Sequence, residues 1–527
     1  MRASTFSALF VAFGLAQSTV TRHIACHDIK PPSIPGAKVI TFSATEQYNI
    51  SGISVDEAKG LLNFVSGLNI CAVEVALTHP GVGDKVGFQI WLPLRGWNKR
   101  FIARGGGGYI AGTPGTLGLG SYVEQGFAVG TTDGGNIANS IGNLLPDMVQ
   151  SSGVIDLGRF ADFSSRALHE LAVIGKAVTK SFYARPPSYS YWHGCSTGGR
   201  QGYMIAQEYP DDFDGILANA PALNFPSLLM GLSWAQFTMR RLNHEVSSCV
   251  FDEFYRGAIR ECDGLDGVID GIISNPKSCS FDPFSIVGLQ VPCGLSHETV
   301  NAQDAEVLTI IMGGPKSSRG TPLFYEWEWG MNYTFIDPDM PSPDSRTLWD
   351  NWISILINKN PSFDMNTFKE MDQMVDYFEI SHIEYDAFIA TNKPDLSAFR
   401  NRGGKLLTWH GLADGAIPPD NTISYRERVE AVMGGNQNVN QFYRLFLAPG
   451  IGHCAGGPGA FPADALDSLI EWVEKDDAPT ELHGTASSTR ERKICLYPQV
   501  AQYDGQGNPD DAGSYTCAAK YTSADSN

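Results

Sequence analysis

At 527 residues the chain can bury a sizeable core, and its length alone allows more than one domain. It carries 38 lysines and arginines against 57 aspartates and glutamates, a formal charge of -19, which excludes the cationic surface that nucleic acid requires. A composition of 43% hydrophobic and 18% charged residues is that of a globular protein, and 56 glycines imply many tight turns.

The first element is a targeting segment. Arg2 precedes an apolar run from Phe6 to Leu15, interrupted only by Ser7 and Gly14, and Gly14-Leu15-Ala16 sets small residues where a signal peptidase reads. The run is too short to anchor in a bilayer. Residues 1–16 are therefore expected to be a leader, and the chain is expected to be secreted and free of the membrane. The ten cysteines agree: an even set in a secreted chain reads as five disulfides, with connectivity left open, and none has the CxxC spacing of a zinc ribbon. Asn49-Ile50-Ser51 and Asn332-Tyr333-Thr334 are sequons, so Asn49 and Asn332 can carry glycans where exposed.

From residue 86 onward strands and turns alternate. Val86-Gly87-Phe88-Gln89-Ile90-Trp91-Leu92 has the two-residue period of a strand. Arg100-Phe101-Ile102-Ala103 follows and runs into the glycines Gly105–Gly108; Phe127-Ala128-Val129-Gly130 is a short buried strand. Residues 160–182 have helical periodicity, with Leu168, Leu171, Ile174 and Val178 on related faces. Tyr189–Trp192 is the next strand, Gly199–Tyr209 a helix, and Leu217-Ala218-Asn219-Ala220-Pro221 another strand end. Strands and helices joined by short connections predict a largely parallel α/β sheet. The pattern stops near Ala222, gives way to an aromatic- and proline-rich stretch with no regular alternation, and resumes at Lys405–His410 and Phe442–Leu447, closed by a helix over Ala463–Val473. One α/β domain, 17–222 and 400–527, interrupted by an insertion at 223–399, is the economical division. The run Phe324-Tyr325-Glu326-Trp327-Glu328-Trp329 is expected to pack within that insertion rather than to line a substrate pocket.

Chemistry concentrates at two distant fragments. Gly194-Cys195-Ser196-Thr197-Gly198 is a G-x-S-x-G pattern between a strand and a helix, the setting of a nucleophilic serine on a tight turn, and Gly452-His453-Cys454 sets a histidine beside a cysteine on a small-residue loop. If Cys195 and Cys454 are bridged, Ser196 and His453 become neighbours, since bridged Cα atoms lie about 4.4–6.8 Å apart. The orienting acid should fall between them in chain order, and Asp414 sits on a loop at a strand's carboxyl end. Asp420, past two prolines, has the place of a helix cap, and Asp464 and Asp467 follow the histidine. For the oxyanion, the Thr197 amide is one expected donor and the Gly105–Gly108 run supplies a second, with Gly106 the candidate.

A second constellation lies in the insertion. Between Cys262 and Cys279, Asp263, Asp266 and Asp270 are spaced by glycines in a tight loop, a set of hard oxygens that suits calcium, although an acidic turn has the same composition. The spacing is not that of an EF-hand.

The G-C-S-T-G-G-R-Q-G run, the downstream aspartate and G-H-C together resemble the fungal tannase and feruloyl esterase family, feruloyl esterase B-like, over nearly the whole mature chain. The resemblance implies an α/β-hydrolase core with a large inserted lid domain, and a Ser196, Asp414 and His453 triad acting on plant-derived aromatic esters. It also implies a structural Ca2+ site in the lid, formed by the side chains of Asp263, Asp266 and Asp270 and the carbonyls of Val268 and Ile272. Family spacing implies the pairs Cys26–Cys71, Cys195–Cys454, Cys262–Cys279 and Cys495–Cys517; this leaves Cys249 and Cys293, whose pairing departs from the family pattern. Compact length and the lack of an obvious internal processing site favour hydroxycinnamate over galloyl esters. A hydrolase-fold binding protein without catalysis is disfavoured because all three triad residue types are present.

Overall fold

In the computed structural model, which describes residues 23–56, 59–331, 333, 343–486 and 490–521, the expected strands assemble into one twisted sheet. The leader at 1–16 and the sequon asparagine Asn332 lie outside the described residues. The strands are β1 (Lys38–Asp56), β2 (Leu61–Thr78), β3 (Val86–Pro93), β4 (Arg100–Arg104), β5 (Ala128–Thr132), β6 (Tyr189–Cys195) and β7 (Gly215–Asn219). After a lid hairpin of β8 (Gln290–Cys293) and β9 (Ser296–Thr299) come β10 (Lys405–Gly411) and β11 (Tyr443–Ala448). Among the described residues nine of these form the sheet in the order β1-β2-β3-β5-β4-β6-β7-β10-β11. From β5 to β11 every neighbour is parallel, whereas β1, β2 and β3 are added as an antiparallel wing.

Alternation along the central strands divides the core in two. Phe101, Ala103, Ile216 and Ala218 face helices Ala167–Tyr183, Thr197–Glu208 and Pro419–Met433, while Ile102, Leu217, Leu407 and Trp409 face helices Gly115–Glu124 and Ala465–Lys475. Both faces of a parallel sheet must be covered in this way, which is why these strands are apolar throughout. The helix expected over 160–182 is broken by a wide π turn at Asp162–Arg166 between two α segments. The buried Asp162 there pairs with Arg166 four residues on, beside His79, Asp84 and Glu170.

The chain between β7 and β10, in which no regular periodicity was expected, is mainly helical: Phe225–Leu232, Trp234–Leu242, Ser248–Cys262, Ala302–Met312 and Met371–Ile389. These helices share a third apolar core that also takes in Tyr109, Ile137, Phe160 and Phe163 from the sheet's loops. Trp327 is buried in it and Trp329 meets the Phe281 ring edge-on at 5.3 Å, so this aromatic run does pack within the insertion. The result is an α/β-hydrolase core carrying a large inserted lid. The ten cysteines form Cys26–Cys71, Cys195–Cys454, Cys249–Cys293, Cys262–Cys279 and Cys495–Cys517, with Cα atoms 5.4–5.9 Å apart. Asn49 is exposed on β1. Among the described residues no helix is long and apolar enough to cross a membrane.

Candidate active site

Ser196 sits where β6 turns into the helix Thr197–Glu208, with φ 63° and ψ -123°. A non-glycine residue in that region carries backbone strain of about 1–3 kcal/mol and persists only where its surroundings over-determine it. Here they do: its N–H donates to the Asn219 carbonyl at 3.1 Å, and its own carbonyl accepts from Arg200 and Ala222 at 2.9 and 3.1 Å. The turn closes because Gly194 and Gly198 nearly touch; a Cβ on Gly194 would stand 2.7 Å from the Gly198 backbone. Thr197 opens the helix, a position whose amide has no intrahelical acceptor and points outward from the helix end. The Gly106 amide, expected as a second oxyanion donor, is instead directed at the Gln201 side-chain carbonyl at 3.2 Å, while the Gly106 carbonyl accepts from Gly198.

Asp414 lies three residues past the end of β10 and is fully buried. Oδ1 accepts from the Ala416 and Ile417 amides at 2.8 and 2.9 Å, and Oδ2 accepts from His453 Nδ1 at 2.8 Å. Burial pushes this carboxyl up, but the charges and hydrogen bonds of His453 and His410 outweigh it and hold the group well below the usual carboxylate range. Asp414 is thus ionised and aimed, as an orienting acid must be. Asp420 sits in the first turn of helix Pro419–Met433 and pairs with Lys277. Asp464 accepts from the His483 amide.

His410 was not foreseen. Its Nε2 lies 3.2 Å from Asp414 Oδ2 and 3.1 Å from the Ile417 carbonyl, and its Nδ1 lies 2.8 Å from the Thr422 hydroxyl. The available signal was a histidine near the carboxyl end of a strand otherwise apolar, because a buried imidazole needs polar partners.

The histidine loop reaches the acid loop through close backbone contact. Ala413 N–H donates to the Ile451 carbonyl at 2.9 Å, and a Cβ on Gly411 would stand 2.2 Å from that same oxygen, so only glycine fits there. The Cys195–Cys454 bridge then ties the residue after His453 to the residue before Ser196. Structure therefore gathers Ser196, Asp414 and His453 at the carboxyl ends of β6, β10 and β11.

The acidic loop of the lid lies elsewhere and closes on itself. Asp263 accepts from the Asp270, Gly271 and Ile272 amides, and Asp266 accepts from the Val268 amide and the Ser274 hydroxyl. Asp270 pairs through Oδ2 with Arg492 of the C-terminal segment, while its Oδ1 is buried with no hydrogen-bond partner. Burial, and then the neighbouring Asp270 and Asp263, raise the Asp266 carboxyl. An orphaned carboxylate oxygen among mutually repelling acids fits a divalent cation of hard-oxygen preference.

Residues 71–518 match the family model described as tannase and feruloyl esterase. The chain is 39% identical over 513 residues to a probable feruloyl esterase of Arthroderma benhamiae, covering 94% of each. Among solved structures it is similar to a tannin acyl hydrolase from Aspergillus niger, at TM-score 0.83 and 28% identity, with 94% of each chain covered. It is also similar to feruloyl esterase B from Aspergillus oryzae, at TM-score 0.78 and 26% identity, covering 94% of this chain and 99% of that one. The chain belongs to the tannase and feruloyl esterase family and is a carboxylic ester hydrolase.

Proposed function

We propose that this esterase is secreted and releases hydroxycinnamic acids (ferulate, caffeate and p-coumarate) from plant cell-wall esters through an acyl-serine intermediate. The 2.8 Å hydrogen bond from His453 Nδ1 to Asp414, on a loop tied to the serine turn by Cys195–Cys454, is the observation that carries the chemistry. With its Nδ1 proton engaged, His453 offers Nε2 as the acceptor for the Ser196 hydroxyl proton as Oγ attacks the ester carbonyl. The oxyanion takes the Thr197 amide, a preorganised donor directly after the nucleophile. Protonated His453 then returns its proton to the departing alcohol, and the same base activates the water that frees the acid.

Similarity to feruloyl esterases along the full chain supports the hydroxycinnamate preference. A galloyl preference is the second reading, favoured by the likeness to the tannin acyl hydrolase. Comparing kcat/KM on methyl ferulate, methyl caffeate and methyl gallate decides between them, and a clear preference for gallate overturns the first. A phosphonate inhibitor should label Ser196 stoichiometrically; an unchanged intact mass after exposure removes the serine mechanism. In the lid, Asp263, Asp266 and Asp270 with the Val268 and Ile272 carbonyls would hold a calcium ion, which would neutralise the buried acids of this loop and take no part in the ester chemistry.

A further inference from the structure

The Asp414 carboxylate is served by two imidazoles, and only one of them has a part in the chemistry described above. His410 projects from the end of β10, four residues before Asp414, and is wholly buried. The protonation of its ring is fixed by its neighbours. Nε2 faces two groups that can only accept, the ionised Asp414 Oδ2 at 3.2 Å and the Ile417 carbonyl at 3.1 Å, so Nε2 carries a hydrogen. Nδ1 faces the Thr422 hydroxyl at 2.8 Å, which donates to it when the ring is neutral.

We infer that His410 is a positioning residue for the triad, a second donor that shares Asp414 Oδ2 with His453 and so sets how strongly the carboxylate holds the catalytic imidazole. This rests on the triad reading of Ser196, Asp414 and His453. Two things follow from the geometry. Four donors converge on one carboxylate, two backbone amides on Oδ1 and two imidazole nitrogens on Oδ2, which leaves it little freedom to rotate. The hydrogen bond from His410 also withdraws charge from Oδ2, the oxygen that His453 uses, so its removal leaves a more basic carboxylate opposite His453. The ring's own placement is secured from the far side by Thr422 in the first turn of helix Pro419–Met433, a support typical of ligating or catalytic groups held by a second layer of contacts.

The two amide replacements of histidine separate this role from packing. The side-chain nitrogen of glutamine falls near the Nε2 position and that of asparagine near Nδ1. In His410→Asn, kcat on methyl ferulate should fall about tenfold with KM little changed, because a misaimed base costs the chemical step and not binding. The acid limb of kcat/KM should also move upward by on the order of one pH unit, since a hydrogen bond to a charged group is worth roughly that much. In His410→Gln the donor to Asp414 is restored, kcat recovers, and the acid limb returns to its wild-type position. An acid limb unmoved in a folded His410→Asn, or moved equally in both variants, overturns the inference. Should His410→Asn not fold, nitrogen-15 spectra of the histidines in the wild-type enzyme, with His410 assigned by its loss in His410→Gln, provide the decision. A His410 ring protonated at Nε2 supports the role, and one protonated only at Nδ1 overturns it. Ser196→Ala keeps the two readings apart. Turnover that survives there removes the triad itself, whereas turnover lost there with an unmoved limb in His410→Asn removes only the role of His410.

Discussion

Asp414→Asn is the substitution whose outcome the geometry dictates most fully. Asparagine has the same shape, but one of its two termini accepts hydrogen bonds and the other donates. The Ala416 and Ile417 amides, 2.8 and 2.9 Å from Oδ1, both donate, so the amide oxygen must occupy that position. The amide nitrogen is then turned towards His453 Nδ1 and His410 Nε2, where Oδ2 had been. His453 can meet an N–H only by accepting it at Nδ1, which moves its hydrogen to Nε2. A protonated Nε2 cannot take the Ser196 proton. The same substitution in a serine-protease triad lowers kcat about 10⁴-fold through the wrong tautomer, equivalent to roughly 5.4 kcal/mol of barrier, and a loss of that order is expected here. Initial rates on methyl ferulate, alongside melting curves to establish that the variant folds, measure it. Asp420→Asn is the control: its carboxylate pairs with Lys277 in a helix's first turn, and kcat should be unaltered. A folded Asp414→Asn within tenfold of wild type, or an equal loss in Asp420→Asn, shows that the acid has been assigned to the wrong residue.

Chelation of calcium with EGTA should lower the melting temperature by on the order of 5 °C, restored by calcium and not by magnesium; an unchanged transition means the acidic loop holds no ion. Burial, only partly offset by the Arg166 hydrogen bond, raises the Asp162 carboxyl to about 7. Its folded value thus lies above its unfolded one, so its contribution is complete below about pH 4 and is lost as pH rises through 7. Asp162→Asn should therefore flatten the fall in melting temperature between about pH 4 and 7, and parallel curves for the two proteins contradict this. Replacing Cys195 and Cys454 together by alanine should cost more in kcat than in melting temperature; a variant that keeps wild-type turnover while melting much earlier reverses the role assigned to the bridge.

The central sheet was readable because its strands are short apolar runs ended by glycine or proline, and β3 to β7, β10 and β11 lie within three residues of their expected bounds. Strands β1 and β2 escaped for a physical reason. Register shifts between Val39 and Thr41, Gln47 and Ile50, and Ile50 and Gly52 interrupt the two-residue period, and much of both strands is exposed. The lid helices were hidden by prolines and aromatics, although Asn301 and Asp304 do form a capping box at the start of Ala302–Met312. Ser196, Asp414 and His453 were legible because each sits in a local pattern that can be read without knowing its partner. His410 was not: its part depends on Thr422 and Ile417 as much as on Asp414, and that arrangement exists only once the loop after β10 has folded back on the strand. The engagement of the Gly106 amide by Gln201 was hidden for the same reason, since Gln201 lies on another element.

The order of strands gives the bridge a distance to span that the two sequence fragments did not reveal. Ser196 follows β6 and His453 follows β11, and β7 and β10 lie between them. Three inter-strand steps amount to about 14 Å at the usual spacing, too far for a serine and a histidine to meet from the strand ends alone. The loop after β11 must therefore travel back across β10 and β7. It is held on the way by Ala413 N–H on the Ile451 carbonyl, with Gly411 leaving room beneath, and at its far end by Cys454 on Cys195, where the Cα atoms are 5.9 Å apart. A loop fixed at both points keeps His453 over Asp414 and on the side of the serine turn, and Ile272 of the lid packs against the same loop at Gly450.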